Sequence, residues 1–249
     1  IANLTIQSCV PEAFEGVDLV FSGLDSTAAE QTELAFAEAG FTVVSNASAH
    51  RMHPDVPLVV PEVNGDVLHS LSQPWSGRLV TNPNCVVIPL VMVLKPLVDR
   101  FDVRSVHVTS MQALSGAGYP GVSAMDSTGN ILPFISGEEP KIETEPLKIL
   151  GHDLAIRSTA VRVPVRHGHL LSIDLGFEGN TPSVKEVSQL LQTFETPSWM
   201  KGCPSALDKV LKVYDDPTQP QPRLVEQEGQ GMAVHVGRIR GEGPLGISL

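Results

Sequence analysis

A chain of 249 residues, 42% apolar and 18% charged, can bury a sizeable core and builds one large or two small domains. Its net charge of −11 argues against nucleic acid and anionic membranes as partners, and leaves room for a small anionic substrate held by local Arg and Lys side chains. No uncharged apolar run of about 18 residues exists, so no membrane-spanning helix is expected. The first residues, Ile1-Ala2-Asn3-Leu4, carry no leader segment and no Met, so the chain is expected to start inside a longer protein. Three cysteines (Cys9, Cys85, Cys203) lie far apart without CxxC spacing. A disulfide framework or metal site is not expected, and a reducing, cytoplasmic setting fits.

Residues 17–21 read as a strand and residues 22–25 as the turn at its carboxyl end. Residues 26–39 have helical periodicity, with Thr27 and Glu30 at capping-box spacing and Gly40 at the stop. A second strand over 41–44 completes a βαβ unit, for which a right-handed crossover is expected. After a loop (45–52) come an apolar piece (56–60), a helix expected over 64–72 and a strand over 78–80. A helix then runs from Cys85 to about Phe101, in which Pro89 is tolerable and Pro96 should kink or end it. Residues 103–110 read as a strand, 115–121 as a glycine-rich loop and 130–150 as an irregular acidic stretch. Further strands are expected at 158–163, 169–177 and 232–240. Ser183 and Glu186 form a capping box opening a helix to about Phe194, and the Pro- and Gln-rich residues 215–223 read as a surface loop. The fold class is α/β.

The centre of the chain is Thr81-Asn82-Pro83-Asn84-Cys85, a tight turn handing over to the most apolar helix. A sulfur at a helix N-terminus meets unpaired N–H groups and the positive end of the macrodipole, which favour the thiolate. Its bland alternative is a buried structural cysteine. A nucleophilic cysteine needs a base, and the best placed of eight histidines is His169, in Arg162-Val163-Pro164-Val165-Arg166-His167-Gly168-His169. Gly168 lets the backbone turn sharply there, and Arg162 supplies a fixed cation for a carboxylate or phosphate. Gly116-Ala117-Gly118-Tyr119-Pro120-Gly121 matches the dinucleotide fingerprint, but Pro120 stands where its helix would start, so a phosphate-binding loop is not expected. Backbone N–H groups of that loop could still meet a ligand. Arg51 follows a small-residue loop at a strand end. Glu145 and Lys148, three apart, would share one helix face, as a surface ion pair does.

Together these motifs resemble aspartate-β-semialdehyde dehydrogenase, in the form found in archaea and fungi. The pieces are residues 45–52 with Pro61-Glu62-Val63-Asn64, Asn82-Pro83-Asn84-Cys85, Gln112-Ala113-Leu114-Ser115-Gly116-Ala117-Gly118, Glu145-Pro146-Leu147-Lys148-Ile149-Leu150-Gly151, Arg162-Val163-Pro164-Val165 with Gly168-His169, and Pro220-Gln221-Pro222-Arg223-Leu224. The resemblance implies an incomplete Rossmann-type parallel-sheet domain over 1–83, binding NADP(H). A catalytic and dimerisation domain with a mixed sheet follows over 84–249. It implies NADPH-dependent reductive dephosphorylation of β-aspartyl phosphate by a homodimer or homotetramer. Cys85 would be the nucleophile, His169 the general acid/base, Gln112 a residue that orients the substrate, and Asn84 a substrate-binding residue. Arg162 would hold the substrate carboxylate, Glu145 its amine, and Arg51 with Lys148 the phosphate. Ser22, Gly23, Leu24, Ser48, Ser115, Gly116, Ala117 and Gly118 would face the cofactor.

Departures from the family pattern are Val86 and Val87, where a small or hydroxyl residue is usual, and the lack of the glycine-rich N-terminal turn and of the C-terminal return segment. N-acetylglutamyl-phosphate reductase and malonyl-coenzyme A reductase share the Cys/His chemistry and are alternatives. A non-catalytic structural subunit is another. Asn84 where the first has Gly, and a carboxylate for an amine, favour the aspartyl reading.

Overall fold

The computed structural model describes residues 5–72, 78–241 and 247–248, and the chain divides into two compact units, Ile1–Asn84 and Cys85–Leu249. Three short strands, β1 (Leu19–Ser22), β2 (Thr42–Ser45) and β3 (Arg78–Thr81), make a parallel sheet in the order β1-β2-β3 in the first unit. Helix α1 (Ser26–Glu38) joins β1 to β2, and Gly40 at φ 102° ends it. Its start differs from expectation. Asp25 accepts from the N–H groups of Thr27 and Ala28 at 3.0 and 3.1 Å, so the cap lies two residues before the predicted box at Thr27 and Glu30. Phe36, Val43, Val56 and Leu79 form the core beneath, with the Phe36 ring 5.7 Å from Phe14 and 5.2 Å from Phe41. In the middle of α1, Glu33 is 2% exposed. Its Oε1 accepts from the hydroxyls of Ser22 at 2.5 Å and Ser45 at 2.6 Å, tying the carboxyl ends of β1 and β2 together.

The apolar piece 56–60 contributes one parallel bridge, Leu58 to Thr81. One further expectation in this unit changes. The helix expected over 64–72 is a short turn, α2 (Pro61–Asn64), running into a 3-10 segment, Gly65–Ser72. Pro61 suits a first helical position, and Asn64 Oδ1 accepts from Val60 N–H at 2.9 Å, which starts the helix early.

The second unit opens with α3 (Val87–Arg100), in which Leu90, Leu94 and Leu97 are fully buried. Pro96 does not end this helix early, since it continues to Arg100. Burying each such leucine is worth about 1.5–3 kcal/mol, which together outweigh the roughly 3 kcal/mol cost of an interior proline. The strands that follow are β4 (Val103–Gln112), β5 (Ala155–Arg162), β6 (Leu170–Phe177), β7 (Leu211–Tyr214), β8 (Val234–Gly237) and β9 (Ile247–Ser248). β5-β4-β6-β9 is a mixed sheet: β4 runs parallel to β5 and antiparallel to β6. β7 and β8 form a separate parallel pair.

A four-residue helix, α4 (Ala124–Ser127), follows the glycine-rich turn. The stretch expected to be irregular then yields a full helix, α5 (Glu138–Leu150). Its prolines disguise it: Pro140 sits in the first turn, where no N–H is needed, and Pro146 lies within a buried face. Glu143 and Glu139 on α5 accept from the N–H groups of Ser158 (2.9 Å) and Ala160 (3.1 Å), which occupies the outer edge of β5. Helix α6 (Val184–Gln192) keeps both hydrogen bonds of its predicted capping box, between Ser183 and Glu186. The loop from 215 closes in a short helix, α7 (Pro222–Val225). No helix among the described residues is long and apolar enough to cross a membrane.

Replacing Asp25 by Ala is expected to destabilise the protein by about 1 kcal/mol in urea unfolding, whereas Thr27→Ala and Glu30→Ala stay within about 0.5 kcal/mol.

Candidate active site

Cys85 lies in the turn that enters α3, after Asn84, whose side chain is buried. Val86 and Val87 are fully buried, so the two residues after the cysteine anchor the helix start in the core. That packing is a use for two valines where a hydroxyl would gain nothing. The sulfur faces out of the core, and His169 Nε2 lies 3.2 Å from it.

The histidine is held from behind. Ala113 N–H donates to His169 Nδ1 at 3.1 Å, so the neutral ring carries its hydrogen on Nε2, directed at the sulfur. The carbonyl of the same residue accepts from Arg162 Nη1 at 2.7 Å. Arg162 and Gln112 are opposed partners at the ends of the parallel strands β5 and β4, and both are at most 5% exposed. Gln112 Nε2 donates to Ser110 Oγ at 3.3 Å and to Glu138 Oε2 at 3.2 Å. Glu138, at the first position of α5, also accepts from Lys141 Nζ at 3.0 Å. Gly116 closes the arrangement. A Cβ there would sit 2.8 Å from His169 Cε1 and 3.0 Å from Arg162 Nη1, so only glycine fits without displacing one of them.

The fold also brings forward a second Glu-x-x-Lys pair. The acid that the fold brings to Gln112, and whose charge reaches Cys85 and His169, is Glu138. Glu145 and Lys148 lie two turns further along α5, roughly 10 Å down its axis, and Glu145 is 2% exposed. The sequence holds the same spacing twice, Glu138-x-x-Lys141 and Glu145-x-x-Lys148. The first copy was legible only through proximity to the end of the preceding loop, where a helix start would place it. Ser115, Gly116 and Ala117 lie in a 3-10 turn (Leu114–Ala117) after β4 that Gly118 caps, with no long helix following, as the proline in that loop suggested. In the first unit, Ser22, Gly23 and Leu24 leave the carboxyl end of β1, Ser48 shares a 2.6 Å hydrogen bond with Ser26, and buried Arg51 donates from Nη2 to Asn46 O at 2.8 Å.

The electrostatics differ from the expectation of a thiolate poised by a helix end. Burial pushes the Cys85 thiol above its ordinary value, and the Glu138 carboxylate pushes the same way. The N–H groups of Val86 and Cys85 and the Arg162 guanidinium oppose them and lose. Burial lowers His169, and Arg162 lowers it further, against a smaller upward pull from Glu138. The resting pair at neutral pH is therefore thiol and neutral imidazole.

Residues 1–71 match the NAD-binding domain of semialdehyde dehydrogenases, and residues 94–245 match the dimerisation domain of that class. The chain is thus a semialdehyde dehydrogenase by class. It is 46% identical over 244 residues to the aspartate-semialdehyde dehydrogenase of Archaeoglobus fulgidus, covering 92% of this chain and 69% of that one. Against the same enzyme of Schizosaccharomyces pombe it is 41% identical over 269 residues, covering 100% and 75%. The crystal structure of aspartate semialdehyde dehydrogenase with NADP from Candida albicans superposes with a TM-score of 0.89 at 38% identity, covering 99% of this chain and 75% of that one. The chain belongs to the aspartate-semialdehyde dehydrogenase family.

Two outcomes test the geometry. Alkylation of Cys85 by iodoacetamide should show no plateau at neutral pH and should rise only at a pH above that of an ordinary thiol, because a raised thiol pKa leaves the sulfur protonated below it. Glu138→Gln should shift that rise to lower pH by removing the opposing charge. Gly116→Ala should lower kcat/KM about tenfold or more with an unchanged circular dichroism spectrum, as the ring or guanidinium is pushed aside.

Proposed function

We propose that the chain catalyses NADPH-dependent reductive dephosphorylation of β-aspartyl phosphate to aspartate semialdehyde, and the reverse phosphate-dependent oxidation, in the biosynthesis of lysine, threonine and methionine. The observation that carries this reading is the 3.2 Å contact between Cys85 Sγ and His169 Nε2, beside Gln112, Arg162 and Glu138, in a chain of this family. The Cys85 thiol first gives its proton to solvent, since His169 Nε2 already carries one; the thiolate then attacks the acyl carbon, the sulfur–carbon bond forms, and the carbon–oxygen bond to phosphate breaks, leaving a thioester on the enzyme and free phosphate. The N–H groups of Cys85 and Val86, close enough to lower the thiol pKa, are the donors for the oxyanion. His169 is the acid/base partner, with Nε2 turned towards the reacting atoms.

Arg162 is the cation for the α-carboxylate, Glu138 in place of Glu145 the acceptor for the α-ammonium, and Lys141 in place of Lys148 the cation for phosphate. An ammonium on Glu138 offsets the charge that holds the thiol protonated, so the correct substrate favours the thiolate. Neither malonyl-coenzyme A nor an N-acetylated substrate carries such a group, which leaves those alternatives without support. The first unit fits a dinucleotide. Ser22-Gly23-Leu24 stands at the carboxyl end of a parallel strand, and no atom lies within 4 Å of where a Gly23 Cβ would be. The hydroxyls of Ser26 and Ser48 are paired beyond that turn. Hydride transfer is the chemistry NADP(H) supplies when bound there. The chain works as a homo-oligomer, in keeping with the dimerisation domain it matches, and in the cytoplasm, where its free cysteines stay reduced.

The test is the phosphate-dependent oxidation of aspartate semialdehyde with NADP. Cys85→Ala should lower kcat about a thousandfold or more, and activity surviving it would sink the covalent route. Glu138→Gln should raise KM for aspartate semialdehyde about tenfold, with Glu145→Gln within about twofold, and the opposite ranking would return the amine to Glu145.

A further inference from the structure

The segment 215–222 leaves β7, carries Pro217, Pro220 and Pro222, and ends in α7, where Pro222 takes the first helical position. Its own hydrogen bonds order it. Asp216 Oδ1 accepts from the N–H and from the hydroxyl of Thr218, both at 2.8 Å. Gln221 donates its N–H to Gln219 Oε1 at 3.2 Å and its side-chain amide to the Thr218 carbonyl at 3.0 Å. The Gln221 carbonyl accepts from Leu224 N–H at 2.9 Å, which starts α7. Each proline has its φ fixed by the ring, so ordering this segment costs little entropy. The end of β8 presses on it from behind. A Cβ on Gly237 would lie 3.1 Å from Pro220 Cδ, with the Gln219 carbonyl closer still.

At its other end the segment meets the residue before the histidine. Gly168 has φ 81°, a conformation that favours glycine. Its missing Cβ would lie 3.0 Å from Pro222 Cβ and 3.5 Å from Pro222 Cα, and the three nearest atoms all belong to Pro222. Pro222 thus stands where a side chain on residue 168 would be. The N–H groups of Leu114 and Ser115 hold the carbonyls of Val165 and Arg166, but His167 and Gly168 beyond them are exposed. Ala113 N–H and Gly116 bound the His169 ring, and Pro222 bounds the backbone that carries it.

We propose that Pro222 is a positioning residue for His169: the pre-ordered segment wedges it against Gly168 and so sets the 3.2 Å approach of His169 Nε2 to the Cys85 sulfur. This rests on the reading of His169 as the acid/base partner. A proline suits the task because its ring cannot rotate away from the contact. A misplacement of about 1 Å can cost on the order of a hundredfold in rate. The wedge acts on the imidazole and not on the groups proposed to hold substrate, so its effect falls on kcat rather than KM.

Pro222→Gly removes the Cβ that meets Gly168, whereas Pro222→Ala keeps it. In the phosphate-dependent oxidation of aspartate semialdehyde, Pro222→Gly should lower kcat about tenfold with KM within about twofold, and Pro222→Ala should stay within about threefold of wild type. Nitrogen-15 NMR of the imidazoles reads the ring without turnover, with the His169 signals assigned by their loss in His169→Asn. Wild type should show one tautomer, with its hydrogen on Nε2. In Pro222→Gly the two nitrogen signals should move towards each other as the loosened ring samples both tautomers. In an active chain, a Pro222→Gly variant that keeps either the wild-type kcat or the wild-type nitrogen signals overturns the role, and so does an equal loss of kcat in Pro222→Ala. If the wild type lacks this activity, shifted nitrogens in Pro222→Gly keep the positioning role and remove the reaction, while unshifted ones remove both.

Discussion

Everything at the site depends on the backbone of one buried residue, Ala113. Its N–H holds His169 through Nδ1, and its carbonyl holds Arg162 through Nη1. A side chain can be repacked, but a peptide group at the end of a sheet strand is placed by the ladder that precedes it. Ala113 follows β4, whose eight opposed residue pairs with β5 also bring Gln112 alongside Arg162. The sheet therefore sets the histidine ring, the guanidinium and the amide in one act. Gly116 keeps the space between the first two clear.

The charges around the sulfur explain why a cysteine at a helix start need not rest as a thiolate. The helix-end N–H groups and Arg162 act in the expected direction, but burial and Glu138 exceed them. Glu138 is also the group best placed to receive a positively charged substrate. In the proposed function the same carboxylate that restrains the nucleophile in the free protein is the one that the substrate ammonium neutralises, which ties reactivity to recognition.

Much of this was readable from the chain. Asn82-Pro83-Asn84-Cys85 before an apolar helix marked the candidate nucleophile, because turn residues and hydrophobic periodicity are local properties. The βαβ unit and the Ser183–Glu186 cap were readable for the same reason. Helix α5 was not, because Pro140 and Pro146 carry strong helix-breaking signals that tertiary burial overrides, and with the helix hidden the Glu138-x-x-Lys141 pair at its start is hidden too. The extension of α3 through Pro96 has the same origin. Asp25 escapes such a reading because two residues of slack in a helix start are invisible to spacing.

By itself the sequence determined the residue types, the alternation of strands and helices, and the family to which the pattern of motifs belongs. These rest on periodicity and turn chemistry, which act over a few residues. Only the tertiary structure decided which acid stands beside the cysteine, which nitrogen of His169 faces it, and in which direction its thiol pKa moves. Those depend on distances between residues far apart in the chain, 84 positions in the case of Cys85 and His169, and on burial, which no local pattern encodes.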